Sequence, residues 1–263
     1  MDKVRSKDGT LIAFEKSGKG APLVLIHGTS ADHTRWAPVL PSLASRFTVY
    51  AVDRRGRGSS GDADPYAIER EFEDVVAVVD SLDEPVNLLG HSYGGICALE
   101  AAARSKNLRR LILYEPPIPT GVDIYSADVV NTMRDLLAKG DRDGVVATFM
   151  REVPHVPPHE LELLRSSPAW QGRIAAAHTI FRELEASNNG YRFDPYKFAN
   201  VTTPTLLLLG GASPAFFQAA INKVHGALPN NRIVVMPDQQ HTAMNTAPEL
   251  FVREVLDFLA EPA

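Results

Sequence analysis

The residues with the clearest chemical potential form the pattern Gly-His-Ser-Tyr-Gly at residues 90–94. In a G-x-S-x-G pattern between a strand and a helix, a tight turn presents the serine hydroxyl as a nucleophile. Both neighbours are predicted here, because residues 86–89 are apolar, as in a buried strand, and residues 96–103 are alanine-rich and apolar, as in a buried helix. Ser92 is therefore a candidate nucleophile, and the amide of Tyr93 at the helix start is a candidate oxyanion donor. The alternative is an ordinary turn with a helix-capping serine.

A serine nucleophile needs a base, and His241 is the best-placed of the eight histidines. It lies in a polar loop after the last predicted strand, at the sheet edge where Ser92 is expected. By itself it could equally be a solvated loop histidine. His91 is too close to Ser92 in the chain and is expected to point away, and His27 is expected to brace the loop after its strand. Among the histidines in helical segments, His178 is the best candidate to line a pocket.

The elements that must position these residues alternate between strand and helix over the first 115 residues. This alternation predicts a mostly parallel sheet with helices on both faces, preceded by a hairpin at residues 2–16. Ligands of such sheets bind at the carboxyl ends of the strands. The predicted strands after the hairpin are residues 22–26, 47–52, 86–89 and 108–114, and the predicted helices are residues 34–45, 68–82 and 96–103.

The pattern changes at residues 117–199, where helical periodicity continues but no strand-like run occurs. We expect a helical insertion there, with one core domain formed by residues 1–116 and 200–263. The predicted helices of the insertion are residues 127–139, 144–153 and 170–186. The chain then returns to the core with strands at residues 205–209 and 232–236 and helices at residues 215–227 and 248–259.

Composition restricts the classes of partner. The net charge of −5 argues against nucleic acid or an anionic membrane as the main partner, so we expect a small-molecule ligand. The single cysteine, Cys97, is expected in the core. The sequence predicts neither a secretion signal nor a membrane-spanning segment, and it shows no metal cluster, P-loop or dinucleotide fingerprint. These observations predict a cytoplasmic protein without a cofactor, as a monomer or homodimer.

Taken together, these motifs resemble those of the α/β-hydrolase family. The resemblance rests on His-Gly at residues 27–28, Asp-Arg-Arg-Gly-Arg-Gly-Ser at residues 53–59, the serine motif, the helical insertion and His241. It implies an α/β-hydrolase fold with about eight strands and a helical cap. It also implies that Ser92 is the nucleophile and His241 the base, with an oxyanion hole formed by the amides of Thr29 and Tyr93. In such proteins the loop at residues 53–59 is mainly a structural turn.

The acid of the triad departs from the usual family pattern. Family members commonly carry an Asp shortly after the strand predicted at residues 205–209, where this chain has Ser213 and no carboxylate. Without an acid the histidine loses its preferred tautomer, which in serine proteases lowers turnover by about 10⁴. Some α/β-hydrolases, including a haloalkane dehalogenase subgroup, carry a Glu where this chain has Glu115. Glu115 is therefore the candidate, against the alternative of a salt bridge or helix cap, and Asp238 is a weaker candidate.

The implied chemistry is hydrolysis of a small or medium carboxylic ester or lactone through an acyl-enzyme on Ser92. A serine at this position disfavours dehalogenase and epoxide hydrolase activity, which use an Asp nucleophile. Two alternatives remain. The first is another reaction on the same fold, namely C–C bond hydrolysis, peracid formation, or a lyase or cyclase step. The second is a non-catalytic protein that binds a small molecule. Two sets of residues are predicted to contact substrate: His27 and Gly28 in the core, and Phe149, Trp170 and His178 in the cap. Cap side chains, including Met150, Ile174 and Phe181, could equally pack only the core of the cap.

Overall fold

The computed structural model describes residues 1–122, 124–186 and 190–261. The predicted domains also include residues 123, 187–189 and 262–263, which lie outside the described residues. Eight strands form one sheet in the order β1-β2-β4-β3-β5-β6-β7-β8. Strands β1 and β2 pair antiparallel, as do β2 and β4, and all other pairs are parallel. The strands are β1 Asp2–Arg5, β2 Leu11–Ser17, β3 Pro22–Ile26, β4 Thr48–Val52, β5 Val86–His91, β6 Leu108–Tyr114, β7 Thr205–Gly210 and β8 Asn231–Met236.

Helices cover both faces of this sheet, which confirms the predicted fold class. Alternate residues of β3 divide between the two layers. Val24 and Ile26 belong to the hydrophobic cluster on one face of the sheet, and Leu23 and Leu25 to the cluster on the other. The helices are α1 Leu40–Ala44, α2 Ile68–Asp80, α3 Tyr93–Ala102, α4 Ala127–Ala138, α5 Arg142–Glu152, α6 Pro158–Arg165, α7 Trp170–Ala175, α8 Ile180–Glu185, α9 Ala215–Ala227, α10 Ala243–Thr246 and α11 Pro248–Ala260. None of the described helices is long and apolar enough to cross a membrane.

Several helical segments differ from the sequence-based expectation. The helix predicted at residues 34–45 is a 3₁₀ turn, His33–Trp36, followed by α1, because Pro38 lacks the amide hydrogen that a continuous helix requires. The helix predicted at residues 170–186 is divided into α7, a 3₁₀ turn and α8. Near the division, the Thr179 hydroxyl donates to the carbonyl of Ala176. Helix α6 was not predicted, although a proline in the first helical turn is favourable.

Helices α4 to α8 follow one another between β6 and β7. Their buried side chains form a hydrophobic cluster separate from the two layers of the sheet, with Met133, Val146, Trp170 and Ile180 among its members. The carboxyl ends of β3, β5 and β6 lie next to one another in the sheet. The sheet order therefore brings Gly28, Ser92 and Glu115 to one edge, and the loop after β8 carries His241 toward the same edge.

Candidate active site

Ser92 lies in a strained turn between β5 and α3. Its backbone angles are φ 55° and ψ −128°, a region that residues with a Cβ rarely occupy. Neighbouring glycines make the turn possible. A Cβ on Gly28 would lie 2.8 Å from the Ser92 Cβ, and a Cβ on Gly94 would lie 2.3 Å from the carbonyl oxygen of His27. The strain and close packing hold the Ser92 side chain at the carboxyl end of β5.

His241 and Glu115 form a buried pair. The His241 Nδ1 lies 2.6 Å from Oε2 of Glu115, and Glu115 is fully buried. The second oxygen, Oε1, accepts a hydrogen bond of 2.7 Å from the amide of Gly210. The Phe217 ring stacks on the imidazole at 4.3 Å between centroids, with 15° between the planes. The carboxylate and the ring together fix the orientation of the imidazole.

Ser92 and His241 line the same cavity, whose volume is about 230 Å³. Among the described residues, no direct hydrogen bond joins their side chains. Catalytic hydrogen bonds are often long before substrate binds and tighten in the complex. The cavity wall carries a hydroxyl and an imidazole, and the carboxylate of Glu115 contacts that imidazole, so the three groups used in serine nucleophilic catalysis are close together.

Neither of the other two positions considered for the triad acid, Ser213 and Asp238, contacts His241 in the described part of the chain. Ser213, at the usual family position, has a buried hydroxyl without a hydrogen-bond partner in the described part of the chain. Asp238 is exposed, and its backbone has a φ of 57°. The carboxylate that contacts His241 belongs to Glu115, which also rules out a salt bridge to a lysine or arginine as its main described contact.

The predicted oxyanion donors border the cavity. Thr29 and Tyr93 both contribute to its wall, and Tyr93 is the first residue of α3. Within the described ranges, neither amide takes part in a protein hydrogen bond. Both amides can therefore donate to a ligand oxygen, and the amide of Tyr93 has the added field of a helix N-terminus.

The five predicted substrate contacts divide into two groups. Gly28 and Phe149 line the cavity, as does Met150. His27 does not, because its Nε2 accepts a hydrogen bond of 3.1 Å from the backbone amide of Arg54. Complete burial, with repulsion from that arginine, holds the pKa of His27 well below its usual range. His27 therefore braces the loop and lies outside the lining of the cavity.

Trp170 and His178, which were also predicted to contact substrate, lie outside the lining of the cavity. Trp170 is buried in the hydrophobic cluster of the helical segment, and its indole Nε1 donates to Asp143 at 2.6 Å. His178 is exposed, and its Nδ1 lies 2.8 Å from the guanidinium of Arg142. Helical periodicity did not show which face of each helix meets the cavity. Ile174 and Phe181 likewise pack against the cluster of the helical segment.

The loop at residues 53–59 is a structural turn, as expected. Arg54 binds two carboxylates, Glu71 at 2.8 Å and Glu183 at 2.5 Å, and Arg57 contacts the same pair. These buried guanidiniums are therefore neutralised within the protein. Glu183 comes from α8, so the pair also connects the helical segment to the core.

Sequence reasoning missed several residues of the cavity wall. The aromatic side chain on His241, Phe217, lies on a helix that was predicted correctly, but its contact with the imidazole had no sequence signal. Arg35 and Arg173 also line the cavity although they are nearly fully buried. The neighbours of Arg35 in sequence, Thr34 and Trp36, do not distinguish it from a surface arginine.

No group of His, Cys, Asp and Glu suited to a metal ion lies within residues 1–122, 124–186 and 190–261.

The chain belongs to the alpha/beta hydrolase family, since the family profile matches residues 23–254. The resemblance inferred from the motifs is confirmed, as is the prediction of a hydrolase. A similar structure, that of an alpha/beta hydrolase from Sphaerobacter thermophilus, has a TM-score of 0.83 and 37% identity, and the match covers 98% of this chain and 100% of that one.

Two relatives from other bacteria are similar over nearly the whole chain. One is the 2-(acetamidomethylene)succinate hydrolase of Mesorhizobium japonicum, which is 26% identical over 95% of this chain and 91% of its own length. The other is the pimeloyl-[acyl-carrier protein] methyl ester esterase of Aeromonas hydrophila, which is 26% identical over 94% of this chain and 99% of its own length.

Proposed function

We propose that this chain hydrolyses a small or medium carboxylic ester or lactone through an acyl-enzyme on Ser92. The observation that carries the proposal is the buried contact of 2.6 Å between His241 and Glu115, beside the cavity that Ser92 lines. A carboxylate so placed holds the imidazole in the tautomer that can accept a proton at Nε2, and it stabilises the imidazolium that forms.

The reaction proceeds in two halves. The Ser92 hydroxyl attacks the ester carbonyl carbon while its proton passes to Nε2 of His241, and the amides of Thr29 and Tyr93 stabilise the oxyanion. The tetrahedral intermediate collapses, and His241 returns the proton to the leaving alcohol. Water then attacks the acyl-enzyme with His241 as base, the acid product leaves, and the serine hydroxyl is restored.

The relatives support a hydrolase and leave the substrate open. One of them is a methyl ester esterase by name, which favours an ester. The non-catalytic alternative was motivated by Ser213 at the usual Asp position, and Glu115 removes that motive because it supplies a carboxylate to His241. A lyase or cyclase would form product without adding water, so incorporation of ¹⁸O from labelled water into the acid distinguishes these reactions from hydrolysis.

We further propose that residues 117–199 form a cap over a core of residues 1–116 and 200–263. The support is that Phe149 and Met150 from α5 and Leu184 from α8 share one cavity with Ser92 and His241. Substrate selection would then depend on α5 and α8, because these helices supply part of the wall around the reacting serine.

Labelling with a serine-reactive fluorophosphonate, followed by intact mass, tests the proposal. We expect one adduct on the wild-type protein, none on Ser92→Ala, and an unchanged adduct on Ser213→Ala, which is a matched control since it removes another hydroxyl near the sheet edge. The Glu115→Gln variant should label much more slowly, and Asp238→Asn should label at the wild-type rate. A wild-type adduct that survives in Ser92→Ala, or no adduct on folded wild-type protein, would overturn the proposal.

A further inference from the structure

Two arginines line the cavity beside Ser92 while being almost inaccessible to solvent. Arg35 is 3% exposed and lies in the 3₁₀ turn after β3, and Arg173 is 4% exposed and lies on α7. One belongs to the core and the other to the helical segment. Arginine is rarely buried to this extent unless an anion compensates its charge.

The described residues do not compensate these two charges. Arg35 donates from Nη1 to the neutral amide of Asn245, and its Nε and Nη2 are buried without a partner in the described residues. Arg173 donates from Nη1 to the carbonyl of Ser30 at 3.3 Å. Neither forms an ion pair within the described part of the chain. Asp32 attracts Arg173 through its field, but the two side chains form no ion pair among the described residues, and Oδ1 of Asp32 accepts from the amide and hydroxyl of Thr34.

Two other buried arginines, Arg54 and Arg57, show the contrast, although neither lines the cavity. Arg54 and Arg57 share two carboxylates, Glu71 and Glu183, so that two positive and two negative charges balance. Glu183 also lines the cavity, but this network already neutralises it. Glu115 does not line the cavity, and its carboxylate pairs with His241. The positive field of Arg35 and Arg173 therefore reaches the cavity without a dedicated counter-charge.

Burial lowers the pKa of both arginines but leaves them charged at pH 7. Burial lowers the pKa of Arg35 to about 9, and repulsion from Arg173 adds to the effect. Burial lowers the pKa of Arg173 to about 10, and Asp32 opposes the shift. Both remain protonated at pH 7, so the folded protein holds two buried cations whose energy an anion would lower.

We propose that Arg35 and Arg173 form a carboxylate-binding subsite, and that the substrate is an ester carrying a free carboxylate, such as the half-ester of a short dicarboxylic acid. The inference rests on the proposed function because it places this carboxylate next to the ester that Ser92 attacks. Guanidinium groups bind carboxylates through paired, charge-assisted hydrogen bonds. The apolar part of the wall, which includes Ile118 and Phe216, suits a short methylene chain between ester and carboxylate, and a cavity of about 230 Å³ favours a compact one.

Monomethyl and dimethyl glutarate differ by one charge and test the subsite directly. We expect wild-type kcat/KM to be about tenfold or more higher for the half-ester than for the diester. A hydrogen bond to a charged group contributes enough free energy to change binding by at least this factor. Arg35→Met and Arg173→Met should each lower that ratio about tenfold, mainly through a higher KM for the half-ester, and Arg35→Lys should retain part of it. Arg253→Met, which removes an exposed arginine on α11, should leave the ratio unchanged.

Binding to the Ser92→Ala variant separates the subsite from the chemistry. We expect calorimetry to detect glutarate on Ser92→Ala and to show at least tenfold weaker binding when Arg35→Met is added. Inorganic phosphate should bind much more weakly, and equal binding of the two anions would overturn the assignment to carboxylates. If dimethyl glutarate is hydrolysed but glutarate does not bind, the subsite is wrong and the hydrolase proposal stands. If glutarate binds but the wild type hydrolyses neither ester, the subsite stands and the ester hydrolase proposal is wrong.

Discussion

Replacing Glu115 by Gln tests the central contact of the site with a change of one charge and almost no volume. The amide of Gln can still accept the hydrogen bond from the Gly210 amide through its oxygen. Its nitrogen would then face Nδ1 of His241 and donate, which forces the imidazole to carry its proton on Nε2. In that tautomer the nitrogen toward the cavity cannot accept the proton of Ser92.

The magnitude follows from burial and distance. Glu115 is fully buried and contacts the imidazole at 2.6 Å, so the charge centres are about 4 Å apart, where two unit charges attract by about 4 kcal/mol at an effective dielectric constant of about 20. Loss of that attraction in the transition state lowers kcat by about 10³. The tautomer effect adds to this, and we expect a total of about 10⁴.

The assay is steady-state hydrolysis of an ester, with a thermal melt of each variant to verify folding. The control is Asp238→Asn, which neutralises an exposed carboxylate three residues from His241 and should leave kcat within about twofold. A folded Glu115→Gln variant that retained more than a tenth of the wild-type kcat would refute the reasoning. So would an Asp238→Asn variant that lost more activity than Glu115→Gln.

Three further predictions concern the surroundings of the proposed triad. Gly28→Ala should lower kcat about 100-fold in a folded protein, measured with the same ester. The new Cβ would lie 2.8 Å from the Cβ of Ser92, which is too close, so the Ser92 side chain would have to move. Phe217→Ala should lower kcat up to about tenfold, because it removes the ring stacked on His241, and an unchanged kcat would show that the stacking is not needed. Thermal stability should fall from pH 7 to pH 5, because the folded pKa of His27 lies well below its ordinary 6.5 and the unfolded chain therefore binds more protons. His27→Gln should reduce that slope in melts recorded across this range.

Much of the architecture follows from local patterns. The strand Leu108–Tyr114 and the helix Ala215–Ala227 have the bounds that their apolar patterns predict. Errors are concentrated between residues 158 and 186, where short helices and turns alternate. There, a proline that suits the first turn of α6 resembles a helix breaker, and side-chain hydrogen bonds such as that of Thr179 compete with a continuous helix.

The sequence by itself determined the chemical groups and their approximate place. The serine turn, its glycines and the histidine loop are local features, and alternation of strand and helix is enough to bring them to one sheet edge. Glu115 was preferred to Asp238 because some α/β-hydrolases carry a Glu at the corresponding place. The decisive fact, an oxygen 2.6 Å from His241, depends on the relative position of two segments 126 residues apart.

The tertiary structure alone decided which side chains meet the cavity and which are charged without compensation. Trp170 and His178 were plausible pocket residues by type, but one packs into the helical cluster and the other lies exposed. The local sequence does not distinguish Arg35 and Arg173 from surface arginines, and only the fold buries both in the wall of the cavity that Ser92 lines. Local sequence encodes backbone propensity and hydrophobic period, whereas burial of a charge is a property of everything that surrounds it, and those surroundings come from distant parts of the chain.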